Sequence, residues 1–109
     1  MLDLSYNHIK ELPNQICELR NLEELKISGF KGKKLPDDMS KLKNLKVFHR
    51  SLGEKLKELP EGLSKCEKLE KIDLRKSRLQ NFNVDMKNWK NLVYLNLYET
   101  KVSTLPESI

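Results

Sequence analysis

His49 and Asp73 stand one repeat interval apart, with Ser28 and Ser51 at matching places, and together these types form a nucleophile, a base and an orienting acid on paper. Acyl transfer would also need oxyanion donors and a pocket that excludes water, and an open sheet face offers neither. The spacing follows simply from the repeat, so a surface hydrogen bond or ion pair worth about 0–1 kcal/mol is the plainer reading. His8 and His49 lie in different repeats, with no Cys-x-x-Cys or His-x-x-x-His pair to bind a metal. Lys31-Gly32-Lys33-Lys34 is basic but lacks the glycine-rich turn before a helix that cradles phosphate. No cofactor and no small-molecule substrate is implied. Recognition is the chemistry these residues suit, and Tyr94 and Tyr98 with Lys71 and Arg75 are its best candidates.

What positions them is a repeat. Leu-Pro falls at Leu12-Pro13, Leu35-Pro36, Leu59-Pro60 and Leu105-Pro106, with Phe82-Asn83 in the remaining slot, at intervals of 23, 24, 23 and 23 residues. Such self-similarity marks a stacked array. Leu25-Lys26-Ile27 and Leu95-Asn96-Leu97 alternate apolar and polar, as a half-buried strand does. After Leu-Pro the apolar spacing becomes three, as in Pro13, Ile16, Leu19 and Leu22, which suits a helical or 3-10 turn with proline at its first position. Asn21, Asn44 and Asn91 precede the leucines that open strands and read as turn residues. Trp89 occupies the slot of Leu19, Leu42 and Cys66, which makes it core filler and Cys66 a buried thiol. Cys17, beside the inward Ile16, is left open to solvent on this reading.

Composition agrees. Only 38% of the 109 residues are hydrophobic and 34% are charged, a thin supply for one globular core but enough for coils that each bury a narrow strip. The net charge of +5 favours solubility, and acidic residues intersperse the lysines, so nucleic acid is disfavoured as a partner. There is no apolar run of transmembrane length, hence no membrane insertion, and no signal peptide with an apolar core. Cys17 and Cys66 lie two repeats apart, roughly 10 Å at strand spacing, beyond the reach of a disulfide. Free thiols and the absence of Asn-x-Ser/Thr acceptors favour a reducing, cytoplasmic location.

The pattern Leu-x-x-Leu-x-Leu-x-x-Asn-x-Leu-x-x-Leu-Pro-x-x-Ile-x-x-Leu resembles the leucine-rich repeat superfamily over essentially the whole chain. The resemblance implies an α/β fold: a right-handed solenoid of about five repeats of 23–24 residues, with a concave parallel β-sheet and short convex helical or 3-10 segments. The Leu-Pro-x-x-Ile form is similar to intracellular members, most of all the repeat domains of plant nucleotide-binding immune receptors. The family's ladder asparagine is matched only by Asn7; its later slots hold Phe30, Gly53 or Glu54, Ser77 and Thr100, of which Ser77 and Thr100 retain hydrogen-bonding capacity. Repeat three is one residue longer and puts Arg50 or Ser51 where an inward leucine belongs, so a bulge or irregular strand is expected there. Irregularity of that kind favours the immune-receptor branch.

Residues alternating with the inward ones should line the concave face. They are Asp3 and Ser5; Glu24, Lys26 and Ser28; Val47, His49 and Ser51; Lys71, Asp73 and Arg75; and Tyr94, Asn96 and Tyr98. Of these Glu24, Lys26, His49, Lys71, Asp73, Arg75, Tyr94, Asn96 and Tyr98 are the candidate contacts for a protein or peptide, strongest where Lys71 meets Tyr94 and Arg75 meets Tyr98. The implied function is a non-catalytic protein-recognition module, the sensing or autoinhibitory part of an intracellular receptor. A signalling scaffold or an enzyme regulatory subunit is the alternative.

The 109 residues form one array, expected to be a fragment lacking both caps, with Leu2 and Leu4 at one end and Leu95, Leu97 and Leu105 at the other left uncovered. The isolated chain should therefore self-associate. A monodisperse monomer in analytical ultracentrifugation, with one sharp thermal transition, would contradict this.

Overall fold

Alternation of side chains about Leu25, Phe48, Ile72 and Leu95 produces short strands, because only one face of each can be buried. The structure, a computed structural model, describes residues 1–5, 12–29, 35–51, 59–80 and 84–102. Its strands are β1 (Leu2–Asp3), β2 (Glu24–Lys26), β3 (Val47–His49), β4 (Lys71–Asp73) and β5 (Tyr94–Asn96). They form one parallel sheet in chain order. Leu2, Leu25, Phe48, Ile72 and Leu95 pair in register across it. Leu25, Phe48 and Ile72 are fully buried, while Leu2 and Leu95 on the outermost strands are half-buried. The shared row of apolar residues is therefore continuous, and the fold is the expected leucine-rich solenoid.

After each Leu-Pro among the described residues comes a 3-10 helix: η1 (Asn14–Glu18), η2 (Asp37–Lys41) and η3 (Glu61–Lys65). Proline is the capping residue, not the first helical one. Pro13 is extended (φ −68°, ψ 148°), and its carbonyl accepts the first bond of the turn from the Ile16 amide at 3.1 Å. Lacking a donor, proline can still accept, so this place costs the turn nothing. The stretch from Val84 to Lys90 runs through turns instead. There Trp89 is buried as expected, and its indole Nε1 donates to the Leu63 carbonyl at 3.1 Å.

Repeats are also tied by a side chain at the turn before β3. Asn44 Nδ2 donates to the Arg20 carbonyl at 2.8 Å, and its Oδ1 accepts from Lys68 Nζ at 2.9 Å, so one side chain links three successive coils. Ser77 and Thr100 do not bridge repeats. Each hydroxyl turns back onto its own coil, to the Leu74 carbonyl at 2.7 Å and the Leu97 carbonyl at 2.8 Å. Asn7, Phe30, Gly53 and Glu54 lie outside the described residues, as do His8, Lys31, Lys33, Lys34, Phe82, Leu105 and Pro106.

Three expectations are corrected. No bulge interrupts β3, since Val47, Phe48 and His49 pair regularly with both neighbours. The extra residue of that repeat is taken up between Ser51 and Leu59, eight positions where the other repeats use seven. Arg50 accordingly stays in the inward row, fully buried in the place of Ile27 and Leu74. Burial pushes its guanidinium down to about 10, and its aliphatic stem supplies the packing that leucine provides elsewhere. Leu19 is 46% exposed where Leu42 is fully buried, because a described repeat flanks it on one side only. Cys17 is buried instead, and desolvation raises its thiol pKa; Cys66 is pushed up to about 11 by the same cause, with Sγ donating to the Met39 carbonyl at 3.2 Å. Both cysteines are free.

Ile72 is fully buried in the stacked row, between Phe48 and Leu95. Its replacement by alanine should cost about 2–5 kcal/mol, read as a lower urea midpoint at unchanged slope. A loss below about 1 kcal/mol would mean that the row is not close-packed.

Candidate functional site

Outward residues fall into three columns. Glu24, Val47, Lys71 and Tyr94 are register partners in the first; Lys26, His49, Asp73 and Asn96 make the middle one, with Asp3 beside Lys26. The third follows each strand: Ser5, Ser28, Ser51, Arg75 and Tyr98. The expected neighbours Lys71 and Tyr94 are thus paired directly. Arg75 and Tyr98 share a concavity of about 800 Å³ lined also by Asp3, Ser5, Lys26, Ser28, His49, Ser51 and Lys76. Glu24, Lys71 and Tyr94 lie outside it, as do Asp73 and Asn96.

A single local demand organises the middle and third columns. As each strand ends, the amide two residues past its middle-column residue loses a strand partner and needs an acceptor. Where that residue is Asp or Asn, it supplies its own. Asp3 Oδ1 accepts from the Ser5 amide at 3.0 Å, Asp73 Oδ1 from the Arg75 amide at 3.2 Å, and Asn96 Oδ1 from the Tyr98 amide at 2.9 Å. The bond from Ser5 is what chiefly lowers the Asp3 carboxyl pKa. Lys26 has no acceptor to offer, and the His49 ring does not take up this role. In those coils the preceding serine substitutes: Ser5 Oγ accepts from the Ser28 amide at 3.1 Å and Ser28 Oγ from the Ser51 amide at 3.4 Å.

This arrangement decides what the Ser-His-Asp set is. Ser51 Oγ donates to Ser28 Oγ at 2.9 Å and lies 3.1 Å from His49 Nε2. If the Ser51 hydroxyl donates to Ser28, Nε2 is left as the donor to Ser51, and the neutral ring is expected to carry its hydrogen on Nε2. The same nitrogen faces Asp73 Oδ2 at 3.7 Å. Acyl-transfer triads need opposite ends of the ring for serine and acid, with a lone pair toward the serine. Here the same nitrogen, Nε2, faces both. The cluster is arranged as a hydrogen-bonded brace.

Among the described residues no group of three or more His, Cys, Asp or Glu is placed to hold a metal, and no helix is long and apolar enough to cross a membrane. Among the described residues the exposed aromatic side chains on the sheet face are Tyr94 at 43% and Tyr98 at 62%. Asn96 Nδ2 donates to the Tyr94 hydroxyl at 3.0 Å, which braces that ring at its polar end. Lys76 joins the site through a left-handed backbone (φ 55°), a feature that residue type alone gave no reason to expect.

A family model described as a leucine-rich repeat region matches residues 1–97. The chain belongs to the leucine-rich repeat family. It is 32% identical over 105 residues to the disease resistance protein RFL1 of Arabidopsis thaliana, across 95% of this chain and 12% of that one. It is 30% identical to a protein of Dictyostelium discoideum named "Probable inactive serine/threonine-protein kinase roco10", across 99% of this chain and 4% of the relative. A leucine-rich repeat protein of Leptospira interrogans superimposes with a TM-score of 0.83 at 30% identity, over 98% of this chain and 27% of its own. The chain therefore spans a small part of each relative. Leucine-rich repeats generally bind other proteins, and this one offers an open sheet face on which to do so.

The bracing role of His49 can be read directly. Nitrogen-resolved NMR of the neutral ring should show the hydrogen on Nε2, with Ser51→Ala shifting that signal and leaving the chain folded. A hydrogen on Nδ1 would restore the ring's basic end to Ser51 and contradict the brace.

Proposed function

We propose that this leucine-rich repeat segment recognises a protein partner on its concave face, as the sensing or autoinhibitory part of a cytoplasmic immune or signalling receptor. One observation carries the reading: Tyr94 and Tyr98 are exposed large side chains on the same face as Lys71 and Arg75. Tyrosine and arginine bury large area at low entropic cost while keeping a polar end, and interfaces concentrate their energy in such residues. In each of the two columns a cation adjoins a tyrosine. The remaining candidates, Glu24, Lys26, His49, Asp73 and Asn96, complete the sheet face around them.

The likeness to a disease resistance protein supports the immune assignment. The likeness to a protein named as an inactive kinase supports a second reading, a docking segment of a signalling scaffold or regulatory subunit that uses the same face. The two differ in what flanks the repeats, whereas the contact surface is common to both.

Capture from an extract with immobilised chain should yield a discrete partner that Tyr94→Ala/Tyr98→Ala loses, by roughly tenfold or more if the tyrosines are hot spots. A circular dichroism melt within a few degrees of wild type would establish that the variant is folded. Undiminished capture would move the interface off this face.

A further inference from the structure

The concavity at the ends of the strands has a charge bias that the rest of the sheet lacks. Lys26, Arg75 and Lys76 line it against one carboxylate, Asp3. Asp73 adjoins it but is already engaged by its neighbours. Its Oδ1 takes the Arg75 amide, its Oδ2 lies 3.4 Å from Arg75 Nε and 3.7 Å from His49 Nε2, and its side chain is only 13% exposed. Held by Nε alone, Arg75 keeps its terminal nitrogens available, and its side chain is 48% exposed. Lys76 is brought to the same rim by a left-handed backbone that glycine adopts freely at Gly29 (φ 72°) in the second repeat. Ser28 Oγ accepts from both the amide and the hydroxyl of Ser51, which leaves its own proton for a further acceptor. Three cations and a spare hydroxyl donor thus converge on one recess.

We propose that this recess seats the carboxylates of an acidic peptide segment of the protein partner. The proposal rests on recognition by the concave face and names the chemistry that face selects. The terminal nitrogens of Arg75 match a carboxylate at two points, while Lys26 and Lys76 flank it as point charges. Tyr98 at the rim contributes the apolar contact beside the anion. Peptide fits better than nucleic acid, because Glu24, Asp3 and Asp73 on the same face interrupt any continuous basic track that a polyphosphate would follow. The net charge of +5 adds long-range attraction for an acidic partner.

The test is fluorescence anisotropy with the full chain and a short labelled peptide carrying adjacent glutamates, against its glutamine counterpart. The glutamate peptide should bind about tenfold or more tighter and weaken as sodium chloride is raised. Arg75→Gln/Lys76→Gln should abolish that difference. Lys43→Gln/Lys90→Gln, which removes the same charge from outside the recess, should retain it. Equal weakening by both double variants would reduce the effect to net charge and overturn the proposal. So would tighter binding of an RNA oligonucleotide, or no binding of the glutamate peptide at low salt. Capture that depends on Tyr94 and Tyr98 while glutamate and glutamine peptides bind alike would sink the acidic pocket and leave concave-face recognition standing.

Discussion

Each coil of this solenoid is incomplete without the next. A three-residue strand satisfies its backbone only by pairing sideways, and its inward residue is buried only when another coil is laid against it. Register is therefore the constraint on which the rest depends. Leu25, Phe48 and Ile72 share one buried row because Glu24, Val47 and Lys71 share one outward row, and neither can shift without the other. This explains how Arg50 is held inside a hydrophobic column: the neighbouring strands fix the backbone, and the side chain has nowhere else to point.

Much of this was legible in the sequence because it depends on period. The Leu-Pro interval placed the turns, and the alternation about Leu25 and Leu95 placed the strands and the outward columns. What could not be read depends on neighbours that a one-dimensional pattern does not weigh. Leu19 and Leu42 hold the same slot, yet only Leu42 lies between two described repeats and is buried. Cys17 is hidden although its position in the pattern left it open. The extra residue of repeat three invited a bulge in β3, but β3 keeps its regular lateral pairing on both sides, and the count between Ser51 and Leu59 is the one that is longer.

The placement of the candidate residues on one face was legible, and their wiring was not. Lateral pairing of His49 with Asp73 follows from spacing alone. Which nitrogen of His49 faces which oxygen follows from a separate fact, that neither Lys26 nor His49 accepts the amide two residues on. A signal for this was present, since serine recurs at Ser5, Ser28 and Ser51 in the column beside those residues. It becomes interpretable only when the unfilled amide is counted. Lys76 escaped notice for a related reason: its place in the recess comes from its backbone angle, which its residue type disfavours.

The same accounting separates scaffold from surface within one sheet. At Ser5 and Ser28 the third column is spent on the ladder, because the coils that follow them, led by Lys26 and His49, leave an amide unmet. The coils led by Asp73 and Asn96 meet that amide from within their own strand ends, so the third-column residues before them, Ser51 and Arg75, are not called on as amide acceptors. The large exposed side chains Arg75 and Tyr98 thus stand where no amide calls on the third column, toward β4 and β5. A substitution at Asp73 or Asn96 would act on that division, by orphaning the amide that positions the neighbouring side chain. Residues that never touch a partner can in this way determine which residues are free to do so.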